Sequence, residues 1–221
     1  MLRRLNIDQP ISFQFTKENK IWAEEQIKKY PPGRQASAVI PLLWRAQEQE
    51  GWISEAIVKA VAEILQMAPV RVFEVASFYF MFHLKPVGSI AHIQVCGTTP
   101  CMLCDSEKLI EVCKQKINKE ANTLSEDGTL SWEEVECLGA CANAPIVQIG
   151  KDYYEDLNSS KFADLIDSFK SGEVPRPGSQ TGRFSSEPKG GRTSLKNKTS
   201  QKANASVLLA IKHKDTIARK R

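Results

Sequence analysis

The stretch "CGTTPCMLC" (residues 96–104) puts three cysteines into nine positions, directly after the apolar run "IAHIQVC". Its reading decides what kind of domain surrounds it. Cys101 and Cys104 form C-x-x-C, the spacing of a dithiol redox pair. Cys96, Cys101 and Cys104 form C-x4-C-x2-C, a spacing that holds one class of [2Fe–2S] centre. In the third reading only Cys96 and Cys101 are ligands, and two more come from further down the chain.

Working outward, residues 90–96 read as a strand, with Ile90, His92, Gln94 and Cys96 alternating against Ala91, Ile93 and Val95. "MLCDSEKLIEVCKQKIN" (102–118) reads as a helix with Leu103, Leu109, Val112, Cys113 and Ile117 inward. "WEEVEC" (132–137) and "PIVQI" (145–149) read as strands, and "GKDYY" (150–154) as a turn into another. "SSKFADLIDSFKSG" (159–172) reads as a closing helix, with Ser159 or Ser160 at its cap and Gly172 past its end. The order β-α-β-β-α fits a thioredoxin-like half-barrel or a split α/β sandwich.

Upstream the period is helical. "KENKIWAEEQIKKY" (17–30) gathers Ile21, Trp22 and Ile27 on one face and stops at Pro31-Pro32-Gly33. "RQASAVIPLLWRAQEQEG" (34–51) continues with Ala36, Val39, Ile40, Leu43 and Ala46, and Pro41 is expected to kink it. Ser54 is the expected N-cap of a helix carrying Ile57, Val58, Val61, Ile64 and Leu65. A fourth helix follows Pro69, with Val72, Val75, Ala76 and Tyr79 at helical spacing and the dense block "FYFMF" (78–82) at its end. Aromatics and methionines at such spacing, Met67 and Met81 included, are expected in the core. The fold class is therefore α+β: residues 1–16 an N-terminal extension, 17–85 a helical bundle, 86–172 the cysteine-bearing domain and 173–221 an extended or disordered basic tail.

Composition sets limits on function. Of 221 residues 42% are hydrophobic and 25% charged, a globular balance. No apolar run reaches the roughly 18 residues of a membrane span, and "MLRRLNIDQPISFQF" has no apolar h-region, so a soluble protein of a reducing compartment is expected. Six cysteines are too sparse for a disulfide scaffold in a chain of this length. Residues 171–221 hold 12 of the 30 basic and 3 of the 26 acidic side chains, so the tail carries +9 and residues 1–170 carry −5. An acidic folded part argues against a nucleic-acid partner, because phosphate binding needs a basic surface on the structured element. Within the tail, "SVLLAI" (206–211) is the single apolar run.

A second cysteine pair narrows the first question. Cys137 and Cys141 in "CLGAC" form C-x3-C at the end of a predicted strand, as "CGTTPC" does. Two such loops can converge from adjacent strands on one tetrathiolate site, where Gly97, Gly139, Ala140 and Ala142 let backbone N–H groups approach the sulfurs. Spacing alone leaves iron–sulfur and zinc both open.

"CGTTPCMLC", "VECLGACANAPIVQI" and "YYEDL" together closely resemble the thioredoxin-like [2Fe–2S] subunit of respiratory complex I, the E-type or 24 kDa-type family of NADH-quinone oxidoreductase subunits. "PPGRQASAVIPLLWRAQEQEGWIS", "VFEVASFYFMF" and "PRPGSQTGRFSSEPKGGRTSL" extend the resemblance over roughly residues 16–195. The resemblance implies one [2Fe–2S] cluster on Cys96, Cys101, Cys137 and Cys141, with Cys104 and Cys113 outside the ligand motif. It implies no catalytic residue on this chain. NADH and FMN are expected on a partner flavoprotein, next to other peripheral-arm subunits at the cytoplasmic face of a bacterial inner membrane or on the matrix side of an organelle. The same module occurs, by resemblance, as an accessory chain of NAD-linked hydrogenases and formate dehydrogenases. Stand-alone ferredoxin and zinc module are the remaining readings.

Overall fold

The computed structural model describes residues 3–191 together with 193–194, 208–209 and 212. The expected apolar run at 206–211 lies mostly outside the described residues. The chain divides into two compact units, Met1–Val87 and Gly88–Arg221.

The first unit is built on four helices: α1 (Lys17–Ile27), α2 (Val39–Glu50), α3 (Glu55–Leu65) and α4 (Pro69–Phe78). Its core is Ala23, Leu42, Leu43, Ala46, Ile57, Val61, Leu65, Val72, Ala76 and Phe82, among others, all effectively closed to water. Ser54 caps α3 as expected, its Oγ accepting from the Ile57 N–H at 3.3 Å. Ser54→Ala should therefore cost about 1 kcal/mol in the first unit, read from its thermal or denaturant unfolding. Residues before α1 are tied to this unit: Arg3 donates to the Ser77 and Tyr79 carbonyls at 2.9 and 2.8 Å, and the Asn6 N–H to the Leu84 carbonyl at 2.9 Å.

Three expectations for this unit fail. Pro41 does not kink a continuous helix, because Gln35–Ala38 form a 3₁₀ turn and α2 begins at Val39. Pro41 thus falls in the first turn, where its missing N–H would have had no intrahelical partner. The aromatic block is only partly core: Phe82 is buried while Phe78 and Phe80 are 73% and 72% exposed. The helix stops at Phe78, so helical spacing no longer decides where the following side chains point. Ile21 of α1 is likewise half-exposed.

The second unit is one five-stranded sheet in the order β2-β1-β3-β4-β5, with β1 (Ala91–Cys96), β2 (Leu130–Val135), β3 (Val147–Ile149), β4 (Asp152–Glu155) and β5 (Gly178–Ser179). β1 runs parallel to β2 and antiparallel to β3, and β3 and β4 form a hairpin. Helices α6 (Ser106–Lys116) and α7 (Ser159–Ser171) give Leu109, Cys113, Phe162, Leu165, Ile166 and Phe169 to a core shared with Ala91, Ile93, Val95, Leu130, Trp132 and Tyr154. The alternation read in residues 90–96 is thus correct. The opposite face of the strands is polar, with the His92 ring 2.7 Å from Ser131 Oγ and Gln94 donating to Glu133 at 2.8 Å.

The segment expected as one helix over 102–118 is two. A short helix α5 (Thr99–Leu103) precedes α6, and Asp105 between them has φ 71°. A left-handed residue cannot continue an α-helix, so the two axes part there. Leu103, expected inward, is 78% exposed as a result. α7 ends at Gly172 as read, but its cap is Asn158, whose side chain accepts from the Lys161 N–H at 2.9 Å.

Composition suggests no fold for residues 173–191, yet the segment is held by this unit. β5 pairs in parallel with β4, and Tyr154 donates its hydroxyl to the Pro175 carbonyl at 3.0 Å. What composition does not report is that an extended strand can borrow a sheet edge, where backbone groups of β4 supply the hydrogen bonds.

Candidate metal centre

β1 and β2 lie side by side, with Cys96 in register with Val135, so the loops that leave them emerge at the same end of the sheet. Cys96 is the last residue of β1 and is buried, and Cys101 sits in α5, also buried. β2 ends two residues before Cys137, and Cys137 and Cys141 are both exposed. All six cysteines are free thiols.

Within the second loop Cys137 Sγ and Cys141 Sγ lie 3.9 Å apart, and the Gly139 N–H points at Cys137 Sγ across 3.4 Å. Gly139 has φ 80°, a conformation that a side chain would strain, and it turns that N–H back toward the sulfur. Tyr153 of β4 donates its hydroxyl to the Leu138 carbonyl at 2.8 Å and so anchors the loop from the sheet. The Gly97 backbone is covered by the Glu134 carboxyl, which a Cβ at Gly97 would meet at 1.9 Å.

The two loops meet, since Leu138 and Ala140 of the second pack against the buried Cys96 and Cys101 of the first. Burial raises the Cys96 thiol, but hydrogen bonds to its sulfur from the backbone of Leu138 and Thr98 and from the Cys101 thiol outweigh it, and its pKa is lowered. Leu138 belongs to the second loop, so that loop influences the Cys96 thiol of the first. Cys101 is pushed up to about 12 by burial, by its bond to Cys96, and by the charges of Cys96 and Cys141. Cys141 is raised by its neighbour Cys137, by desolvation, and by Cys96. Tyr153 is raised by burial and by the charges of both Cys137 and Cys96. Thiols that oppose one another's charge in this way need a cation to ionise together.

The donor set fits a dinuclear iron–sulfur group. A mononuclear zinc site draws its sulfurs to about 3.8 Å from one another, the edge of a tetrahedron with 2.3 Å bonds. Among the described residues, no three thiol sulfurs lie mutually within 4.8 Å. The thiols come in two pairs, Cys137 with Cys141 at 3.9 Å and Cys96 beside Cys101, a soft donor set that could hold an iron–sulfur group. The Thr98 hydroxyl is buried beside the Cys96 sulfur, a donor available to a bound sulfur.

Cys104 lies at the C-terminal end of α5, exposed, its N–H bonded to the Cys101 carbonyl at 3.0 Å. Cys113 is buried in the α6 face, and burial pushes its thiol up. It has the role of an apolar side chain. Tyr153, Leu138, Thr98 and Asn143 do not stand out in the sequence. Only the turn-forming "CLGACAN" and the tyrosine pair point toward them.

Residues 23–170 match the family model described as thioredoxin-like [2Fe-2S] ferredoxin. An E-type NADH-quinone oxidoreductase subunit of Rhizobium meliloti (strain 1021) is 57% identical over 198 residues, 88% of this chain and 72% of that protein. The chain belongs to the thioredoxin-like [2Fe–2S] ferredoxin family, in its NADH-quinone oxidoreductase branch. The E-type NADH-quinone oxidoreductase subunit of Rickettsia bellii (strain RML369-C) is 48% identical over 160 residues, 72% of this chain and 95% of that protein. A crystal structure of an NAD+-reducing [NiFe]-hydrogenase in the H2-reduced state superposes with a TM-score of 0.54 at 14% identity. It covers 62% of this chain and 23% of that one, and at such identity the likeness is one of fold alone. Family membership brings with it one [2Fe–2S] cluster as prosthetic group. No helix among the described residues is long and apolar enough to cross a membrane.

Proposed function

We propose that the chain is the iron–sulfur electron-transfer subunit of an NADH:quinone oxidoreductase, that Cys96, Cys101, Cys137 and Cys141 hold its [2Fe–2S] cluster, and that the electron arrives from FMN on a partner flavoprotein. The observation that carries this reading is the meeting of the two loops, where Leu138 and Ala140 of "CLGAC" pack against the buried Cys96 and Cys101 of "CGTTPC". The names of the NADH-quinone oxidoreductase relatives support the host complex. When bound, such a cluster exchanges one electron at a time, at a potential set by net charge, hydrogen bonds to sulfur and solvent access.

The chain's own residues supply those settings. Cys96 and Cys101 are buried and exclude water from one side, while the N–H groups of Leu138, Thr98 and Gly139 stabilise negative sulfur. Cys137 and Cys141 lie at the surface, so a redox group on a partner can approach that edge directly. Cys104 takes no part in this arrangement.

Low-temperature EPR of the reduced chain, with iron and sulfide analysis, tests the reading. Iron and acid-labile sulfide in equal amounts, with one rhombic one-electron signal, are expected. A colourless protein that contains zinc and takes up no electron refutes it. For the partner, NADH added to the chain mixed with its flavoprotein should generate the same signal, and NADH added to the chain alone should not.

A further inference from the structure

Arg183 lies in the extended segment beyond α7, in the stretch "SQTGRFSSE" (179–187). Its side chain is nonetheless held by the second unit, with only 12% of the side-chain surface exposed. Its Nε donates to Asp156 Oδ2 and its Nη2 lies by Oδ1, both at 3.0 Å, a forked pair just after β4. Nη1 donates to the Glu187 carbonyl at 3.0 Å, closing the segment on itself. Nη2 also donates to the Ala142 carbonyl at 2.5 Å and to Asn143 Oδ1 at 2.6 Å. Ala142 is bonded directly to Cys141.

The other contacts of this segment converge on the same turn. Asn143, 3% exposed, donates to the Glu155 carboxylate and, at 2.9 Å, to the Ser185 carbonyl. Asp156 donates its N–H to the Asn143 carbonyl at 2.8 Å and accepts from Ser179 Oγ at 2.6 Å. Gln180 donates its N–H to the Glu155 carbonyl at 2.9 Å and accepts from Lys161 Nζ at 2.8 Å. The Cys137 side of the loop has its own anchor in Tyr153, whereas the Cys141 side is fixed through Asn143 and the guanidinium.

We propose that Arg183 is a positioning residue for the metal centre: it locks the Cys141–Asn143 turn to the sheet and sets a permanent positive charge behind that turn. The proposal rests on the functional reading above, with Cys141 as a ligand. Only a planar fork with several donors can meet Asp156, Ala142, Asn143 and Glu187 at once, and lysine, a point charge on a flexible stem, cannot. Partners of this kind, which orient a ligand without touching the metal, typically carry 10–100-fold in metal affinity or activity. The guanidinium also offsets the Asp156 and Glu155 carboxylates behind the turn, and without it their negative charge would disfavour the reduced, more negative state of a tetrathiolate centre.

The test uses the full-length chain with its cluster, as wild type, Arg183→Gln, Arg183→Lys and Asp156→Asn. Release of iron to a chelator, the EPR line shape and the midpoint potential are measured. Arg183→Gln should release iron roughly tenfold faster or more, broaden the signal and move the midpoint to more negative values. Arg183→Lys should release iron as fast as Arg183→Gln while keeping its midpoint closer to wild type, since it retains the charge and loses the fork. Asp156→Asn, which leaves the fork unpaired on one side, should give an intermediate rate. Wild-type release rates and line shape in Arg183→Gln overturn the proposal. Should Arg183→Gln fail to fold, by hydrogen exchange over β1 and α7, a wild-type rate in Asp156→Asn overturns it equally. A wild-type chain without iron is instead the failure of the functional reading, visible before any variant is made.

Discussion

Cys137→Ala is expected to lose most of the iron of the chain, and Cys113→Ala to keep it. Cys137 is the thiol that Gly139 N–H and Cys141 face at 3.4 and 3.9 Å, and its removal takes away one of the four proposed ligands. Because ligation and folding are coupled, protection from hydrogen exchange should fall through the loop and into β1 and β2, which the two loops join. Cys113 packs against Leu109 and the α7 face of the core, and alanine there removes one sulfur atom from an apolar contact. Cys104 is the natural confounder, since it is exposed and lies three residues past Cys101. Cys137→Ala with Cys104→Ser therefore belongs in the same measurement: iron retained in the single variant and lost in the double one means rescue by Cys104. Full iron in Cys137→Ala together with loss in Cys104→Ala means that the ligand set is wrong.

Phe169→Ala should destabilise the second unit by about 3–5 kcal/mol, the range for deleting a fully buried aromatic ring. Phe169 has no exposed surface and meets the Tyr154 ring edge-on, centroids 5.9 Å apart at 83°. Both rings sit where α7 covers the sheet, and the hydroxyl of Tyr154 reaches outward to Pro175. The cavity would open under β4, the strand that carries the Tyr153 anchor of the "CLGAC" loop, so loss of stability and faster loss of iron should appear together. Hydrogen exchange read by mass spectrometry separates the two units. Peptides from 91–96 and 159–171 should exchange faster, while those from 39–65 in the first unit stay as in wild type. Equal acceleration in both units would show that they do not unfold separately, and no change in either would show that the ring's packing is replaceable.

The helices of the first unit were legible because their apolar residues recur at three and four positions and because Ser54 supplies a cap. The strand 90–96 was legible because its alternation matches a sheet buried on one face. The same logic misplaced Leu103, since helical spacing across Asp105 presumes a backbone that the left-handed residue interrupts. It misplaced Phe80, where an apolar run continues past the helix that would have turned it inward, and Phe78, which ends α4 on its exposed side.

By itself the sequence offered two closely spaced pairs of soft thiol donors, each next to small residues. Spacing along a chain is a local quantity, and so it fixes which sulfurs can share an ion within one loop. The parallel pairing of β1 with β2 decided that the two loops meet, because register between strands depends on the packing of side chains far apart in the chain. That packing also decided what holds the loops. A tyrosine from β4 and an arginine from a segment whose composition suggests no fold reach the turns across the sheet, through hydrogen bonds that no one-dimensional pattern records.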